Sequence, residues 1–114
     1  MEASVPILEP SRAELDLLEG LALVEFGSAW CGHCRFAQPL IARALEHHPA
    51  VRHIRIEDGS GRALGRSFGV KLWPTLVFLD HGREVARLVR PRAEEPIRAA
   101  LAGIDGAARS AQRA

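Results

Sequence analysis

The chain has 114 residues, which is the length of one domain with a single hydrophobic core. Hydrophobic residues make up 47% of the chain and charged residues 25%, a composition typical of a soluble globular protein rather than a disordered one. The formal net charge of +1 gives no support for a nucleic-acid partner or for general electrostatic attraction to a membrane.

We expect neither a membrane-spanning segment nor a secretory leader. No stretch approaches the ~20 apolar residues that cross a bilayer, and residues 1–6 lack a basic region followed by an apolar core. We therefore expect a cytoplasmic protein. The only two cysteines, Cys31 and Cys34, have C-x-x-C spacing, which in a cytosolic chain of βαβ pattern favours redox chemistry over a structural disulfide.

The first elements lead up to this cysteine pair. Residues 5–8 are predicted to form a short edge strand, and residues 11–14 have the Ser-x-x-Glu spacing of a capping box that opens a helix. That helix is expected to end near Gly20. Residues 21–26 are apolar on both parities except at Glu25, which predicts a strand covered on both faces.

The cysteine pair lies where this strand gives way to a helix. Apolar residues of helical period predict a helix from Cys31 to about His47, with a kink expected at Pro39. Free backbone N–H groups and the positive end of the helix dipole stabilise a thiolate at such a position. A strand at residues 51–57 and a short helix at residues 62–68 follow.

The last third of the chain predicts a hairpin and a final helix. Strands at residues 75–79 and 84–89 are joined by a glycine-containing link of hairpin length. The final helix is expected at residues 93–101, and residues 103–114 are expected to form a flexible tail after a single domain of residues 1–102. The order of elements predicts an α/β fold, with a central mixed β-sheet flanked by helices on both faces.

This arrangement resembles the thioredoxin fold. The resemblance rests on the motif Trp-Cys-Gly-His-Cys at residues 30–34, on Pro39 inside the helix, and on Trp-Pro-Thr at residues 73–75. It covers roughly residues 5–102. The Cys-Gly-His-Cys motif is also similar to that of protein disulfide isomerase, as is Glu25 where thioredoxins have aspartate.

His33, where thioredoxins usually have proline, and Glu25 depart from the thioredoxin pattern, and three further departures concern the partner. Gly27 lies where an aromatic residue is usual, Trp73 lies where isoleucine or threonine is usual, and residues 90–92, Arg-Pro-Arg, lie where thioredoxins have a glycine at the substrate groove. These departures affect the identity of the partner rather than the chemistry.

The resemblance implies thiol-disulfide exchange at the cysteine pair. Cys31, the more exposed sulfur in this motif, is expected to attack a substrate disulfide, and Cys34 is expected to resolve the mixed disulfide. A partly cationic His33 between them would stabilise the Cys31 thiolate and make the disulfide more oxidising. The alternative is that His33 is an exposed spacer.

Glu25 is the candidate proton acceptor. In this fold the equivalent acid lies behind the second cysteine and accepts its proton through water. Burial would favour the neutral acid, whereas Arg55, which has the parity to face Glu25 from the next strand, would favour the carboxylate. A glutamate at a strand end that reaches solvent is the alternative.

The resemblance also implies that Pro74 is cis and that the substrate binds around it. A cis bond would expose the backbone of Trp73 beside Cys31, where a substrate segment could pair as an added strand, whereas a trans proline would merely open a strand. Trp30 is expected to cover part of the docking surface, with core filling as its alternative. Three arginines could favour an acidic partner, but a solvated face is the expected role of Arg87, Arg90 and Arg92.

The sequence thus predicts a thiol-disulfide oxidoreductase that acts on protein disulfides, as a cytosolic reductant and a monomer. No bound cofactor or metal is expected, and its electron donor is unidentified. One competing hypothesis is a chaperone-like binding accessory that uses Trp30, Trp73 and Pro74. A pair of inert core cysteines is a second, and a zinc module is a third, completed by ligands from His47, His48, His53 and His81.

Overall fold

A computed structural model of the chain describes the backbone of residues 9–113 and the side chains of residues 9–107. The strand predicted at residues 5–8 lies outside the described residues. The described elements, in chain order, are α1 (Arg12–Asp16), β1 (Leu21–Gly27), α2 (Gly32–Leu45), β2 (Val51–Glu57), α3 (Ala63–Ser67), β3 (Thr75–Asp80), β4 (Arg83–Val89) and α4 (Glu94–Arg113).

The four described strands form one mixed sheet in the order β2-β1-β3-β4. Strand β1 is parallel to β2, which places Glu25 opposite Arg55, and antiparallel to β3. Strands β3 and β4 are antiparallel. The predicted mixed sheet is therefore confirmed, and β1 lies inside it with a hydrogen-bonded neighbour on each side.

Helices cover both faces of the sheet, as predicted. On one face, α2 and α4 bury side chains against the sheet, and this cluster includes Leu21, Leu23, Ala37, Ile41, Phe78, Ile97 and Leu101. On the other face, α1 and α3 contribute to a cluster that includes Leu15, Ala22, Val24, Phe26, Leu64 and Phe68. Every residue of β1 is buried, because successive side chains of the strand point to opposite faces of the sheet and both faces are covered by a core cluster.

The hairpin between β3 and β4 has a two-residue loop of His81 and Gly82. Both residues have positive φ, 51° and 81°, the combination found in type I′ hairpin turns. A Cβ at Gly82 would lie 2.0 Å from the carbonyl oxygen of Asp16 at the end of α1. Glycine is therefore required there both by the backbone conformation and by the close approach of α1.

The C-terminal helix is longer than the sequence predicts. The expected helix end at Leu101 is wrong, because the described backbone stays helical through Arg113. The flexibility expected for residues 103–114 stays a prediction. Ile104 is only 4% exposed and lies one helical turn beyond Leu101 on the same face. A glycine inside a helix costs about 1 kcal/mol relative to alanine, and burial of Ile104 offsets that cost.

Replacing Ile104 with alanine should lower the free energy of unfolding by about 2–4 kcal/mol, because it leaves a cavity between α4 and the sheet. Urea unfolding followed by circular dichroism measures the change. Ala102→Ser, at the exposed position two residues earlier, is the matched control and should have little effect. A loss in Ile104→Ala no larger than that in the control would show that the end of α4 does not contribute to the core.

The length and hydropathy of the helices within residues 9–113 decide whether any of them could span a membrane. None of them is both long enough and apolar enough to cross a membrane.

Candidate active site

The two cysteines lie at the start of α2, immediately after the buried strand β1. Cys31 is the N-cap residue of α2, and its Sγ accepts the backbone N–H of Cys34 at 3.2 Å. The Cys31 side chain is partly exposed, whereas Cys34 is only 5% exposed. The expected placement of Cys31 as the more exposed sulfur at a helix N-terminus is confirmed.

Cys34 packs against the backbone of β1 at Gly27. A Cβ on Gly27 would lie 2.7 Å from the Sγ of Cys34, so the missing side chain leaves the space that the sulfur occupies. Burial, followed by the hydrogen bond to Cys31, raises the pKa of Cys34 to about 11. Cys34 is therefore a protonated thiol at neutral pH, and a base must accept its proton before it can act as a nucleophile.

Glu25 is 3% exposed, so its expected burial is confirmed and the solvent-reaching alternative is wrong. The side-chain amide of Gln38 donates to its Oε2. Its Oε1 lies 2.8 Å from Nε2 of His53 and 3.9 Å from Nε of Arg55. Arg55 faces Glu25 as predicted, but His53 is the closer partner.

Gln38 and His53 were not identified from the sequence as partners of Glu25, although the spacing of each residue in the sequence indicates on which face of its helix or strand it lies. Gln38 lies four residues after Cys34 in α2, so both side chains lie on one helix face. His53 shares the strand parity of Arg55 in β2 and pairs with Leu23, on the same face of the sheet as Glu25.

A cavity of about 270 Å³ connects the acid with the second cysteine. Glu25 and Cys34 both line it, together with Arg55 and Glu57 at the end of β2. Its size and its polar lining suit water molecules. The cavity therefore has room for the water molecules that are expected to connect Cys34 with Glu25.

The bond between Trp73 and Pro74 is cis, as predicted, and the trans alternative is wrong. The carbonyl oxygen of Trp73 lies 3.8 Å from the Sγ of Cys31. That carbonyl is not free, because the Nε of Arg90 donates to it at 2.8 Å. The indole of Trp73 is held separately, by its Nε1 donating to Asp58 at 2.9 Å.

The Trp30 side chain is 89% exposed, next to Cys31 in the sequence. Core filling, its alternative interpretation, is therefore wrong. An exposed indole beside the reactive sulfur is suited to contact with another polypeptide, since tryptophan combines a large apolar ring with a polar N–H.

A second, open groove lies beside the cysteine motif. We call it the basic groove; it has a volume of about 460 Å³ and is lined by Gly32, His33, Phe36, Arg90, Pro91 and Arg92. The solvated interpretation is wrong for Arg90, which is half-buried and bonded to Trp73. Arg87 does not line the groove, and it is paired with Glu84 at 2.7 and 2.8 Å.

Three of the four histidines weighed as zinc ligands pair with carboxylates. His48 pairs with Asp105, His53 with Glu25 and His81 with Asp80. Among the described residues, no three His, Cys, Asp or Glu side chains are grouped so that they could hold a metal ion.

The sheet, the dithiol at the N-terminus of α2 and the cis proline beside it define a domain of the thioredoxin fold. The Thioredoxin family model matches residues 10–103, and the chain belongs to the thioredoxin family. The reduced structure of thioredoxin 2 from Pseudomonas aeruginosa PAO1 is similar to it, with a TM-score of 0.80 and 53% identity over 93% of this chain and 98% of that chain.

Curated relatives agree with this assignment. The thioredoxin of Chlamydia pneumoniae is 31% identical over 80% of this chain and 89% of its own length. Thioredoxin H-type 1 of Nicotiana tabacum is 33% identical over 66% of this chain. The match spans only 60% of the tobacco protein, so the chain spans less than two thirds of that relative's length.

Proposed function

We propose that the chain is a thiol-disulfide oxidoreductase that exchanges its Cys31–Cys34 dithiol with disulfides of protein substrates. The observation that carries the proposal is the unequal exposure of two sulfurs at one helix N-terminus, with Cys31 accessible and Cys34 buried behind it. Membership of the thioredoxin family supports the same activity.

The first half of the reaction takes place at Cys31. Its thiolate attacks one sulfur of a substrate disulfide, a mixed disulfide forms, and the other substrate sulfur leaves as a thiolate. The N–H of Cys34, which contacts the Cys31 sulfur at 3.2 Å, stabilises the attacking thiolate.

The second half requires Cys34 to lose its proton. Glu25 accepts that proton through water in the cavity that both residues line. The Cys34 thiolate then attacks the Cys31 sulfur, the protein disulfide forms, and the second substrate sulfur is released. The substrate gains two electrons and the protein loses them, so an electron donor must later reduce the protein. His53 and Gln38 hold the Glu25 carboxylate in place for this step.

Catalysed reduction of insulin disulfides by dithiothreitol tests the proposal. Substoichiometric protein should accelerate the precipitation of insulin B chain, and a Cys31→Ser variant should not. Binding of insulin without acceleration would instead favour the chaperone-like accessory. Three properties stay predictions from the sequence. They are the reduction of substrate as the net direction of exchange, the cytoplasmic location and the monomeric state.

His33 should set the redox potential of the pair, since it is exposed beside the cysteines and lines the basic groove. Thioredoxin lies at about −270 mV and protein disulfide isomerase at about −180 mV. We expect roughly −250 to −200 mV here, because imidazolium charge stabilises the reduced Cys31 thiolate. The measurement is equilibration with a glutathione buffer, followed by acid quenching.

His33→Pro should lower that potential, because it removes the charge while keeping the motif length. His47→Ala, at an exposed histidine beyond the end of α2, is the control and should leave the potential unchanged. An unchanged potential in His33→Pro would mean that His33 is only a spacer.

A further inference from the structure

The basic groove carries positive charge without a carboxylate among its lining residues. Two guanidinium groups, of Arg90 and Arg92, and the imidazole of His33 lie around it, and Phe36 and Pro91 supply its apolar surface. Within residues 9–107 neither arginine forms an ion pair. The groove is therefore electrostatically complementary to a negatively charged ligand.

Arg90 is held in an uncommon backbone conformation. Its φ is 52°, a region that side-chain-bearing residues seldom adopt, and its N–H donates to the carbonyl of Pro74 at 2.8 Å. This backbone geometry directs the side chain to the carbonyl of Trp73, which its Nε reaches at 2.8 Å. The guanidinium thus lies at the backbone of Trp73, with which a substrate segment is expected to pair.

Arg90 and Cys31 meet at the same acceptor. The carbonyl oxygen of Trp73 that Arg90 binds is also 3.8 Å from the reactive sulfur. A guanidinium has five N–H donors, and the bond to Trp73 uses only one of them. Its remaining donors can bind a carboxylate in a bidentate manner. A carboxylate that draws Arg90 toward the groove would also release the Trp73 carbonyl for the backbone of the substrate.

We propose that the basic groove selects protein substrates that carry an aspartate or glutamate close to the target cysteine. Arg90 is the specificity-determining residue, and Arg92 and His33 add to the positive potential. The apolar surface of Phe36, which is 57% exposed, favours a polypeptide segment over a small acidic disulfide. The inference rests on the proposed thiol-disulfide exchange and names the class of substrate for it.

Two symmetric peptide disulfides test this selection. They are identical except that one has glutamate and the other glutamine two residues from its single cysteine. Second-order rate constants for their reduction by the reduced protein are measured by acid quenching and chromatography. The parent protein should reduce the glutamate peptide about fivefold faster at low salt, and the ratio should fall toward one at high salt.

Variants of the groove should remove the preference without removing the reaction. In Arg90→Gln, and in the double variant with Arg92→Gln, the ratio should fall to about one while the glutamine peptide is still reduced. Arg52→Gln makes the same change in net charge on β2, at the opposite edge of the sheet, and should keep the parent ratio. Arg92→Gln alone, at an exposed position, should lower the ratio in part, even if Arg90→Gln fails to fold.

The outcomes separate this inference from the proposed function. Equal reduction of both peptides by the parent protein would overturn the acidic selection and leave the exchange activity standing. A preference that survives in the arginine variants would overturn the role of the groove. A further outcome is that the arginines speed the reduction of glutathione disulfide while the two peptides are reduced at equal rates. That result would overturn the assignment of the groove to protein segments. Failure to reduce any of these disulfides would contradict the proposed function itself.

Discussion

A Cys34→Ser variant should accumulate a stable mixed disulfide between Cys31 and its substrate, because serine cannot perform the second attack. A Cys31→Ser variant should lose exchange altogether and fall to the rate of the uncatalysed reaction. The buried Cys34, whose pKa is raised to about 11, is mostly unionised at neutral pH and so cannot take over. Non-reducing electrophoresis with oxidised insulin, followed by peptide mapping, identifies the trapped cysteine.

The double variant Cys31→Ser/Cys34→Ser is the control for adventitious thiols and should trap nothing. A substrate trapped through Cys34 in the Cys31→Ser variant, at a rate comparable with trapping through Cys31, would reverse the two roles. Capture of substrate by the double variant would show that the complex is not a disulfide.

A Glu25→Ala variant should resolve the mixed disulfide about 10²-fold more slowly at neutral pH, with its rate of formation nearly unchanged. The reason is that Glu25 is needed only where Cys34 must lose a proton. The deficit should shrink as the pH rises toward about 11, because Cys34 then ionises without help. Rapid mixing with acid quenching over a range of pH separates the two steps.

The matched control is Glu57→Ala, since Glu57 lines the same cavity but is exposed at the end of β2. It should leave both steps close to those of the parent. Equal slowing of formation and resolution in Glu25→Ala would indicate general structural damage. A deficit that does not change with pH would remove proton acceptance from the role of Glu25.

The features that the sequence predicts correctly are those fixed by local pattern. Residues 21–26 are apolar on both parities, which requires cover on both faces, and the structure supplies that cover. The capping box of Ser11 and Glu14 forms as expected. The cysteine spacing at a strand-to-helix junction likewise predicts where the two sulfurs lie.

Features that depend on tertiary contacts are not predictable in the same way. Parity indicates that Arg55 faces Glu25, but only the packing of side chains shows that His53 is closer. The small and polar residues from Gly103 onward favour a helix that ends at Leu101, yet α4 continues and buries Ile104. The sequence favours a solvated Arg90, because nothing in a single sequence reveals a positive φ or a bond to a carbonyl 17 residues away.

The most direct test of the central claim is a reaction between insulin and an excess of the reduced protein, without any other reductant, quenched with acid and analysed by mass spectrometry. The excess is needed because each protein molecule reduces one disulfide, whereas the insulin chains are joined by more than one. We predict that insulin chains separate while the protein loses the mass of two hydrogen atoms, with the new disulfide mapping to Cys31 and Cys34. Separation of the insulin chains without that change in the protein, or no separation at all, would contradict the account.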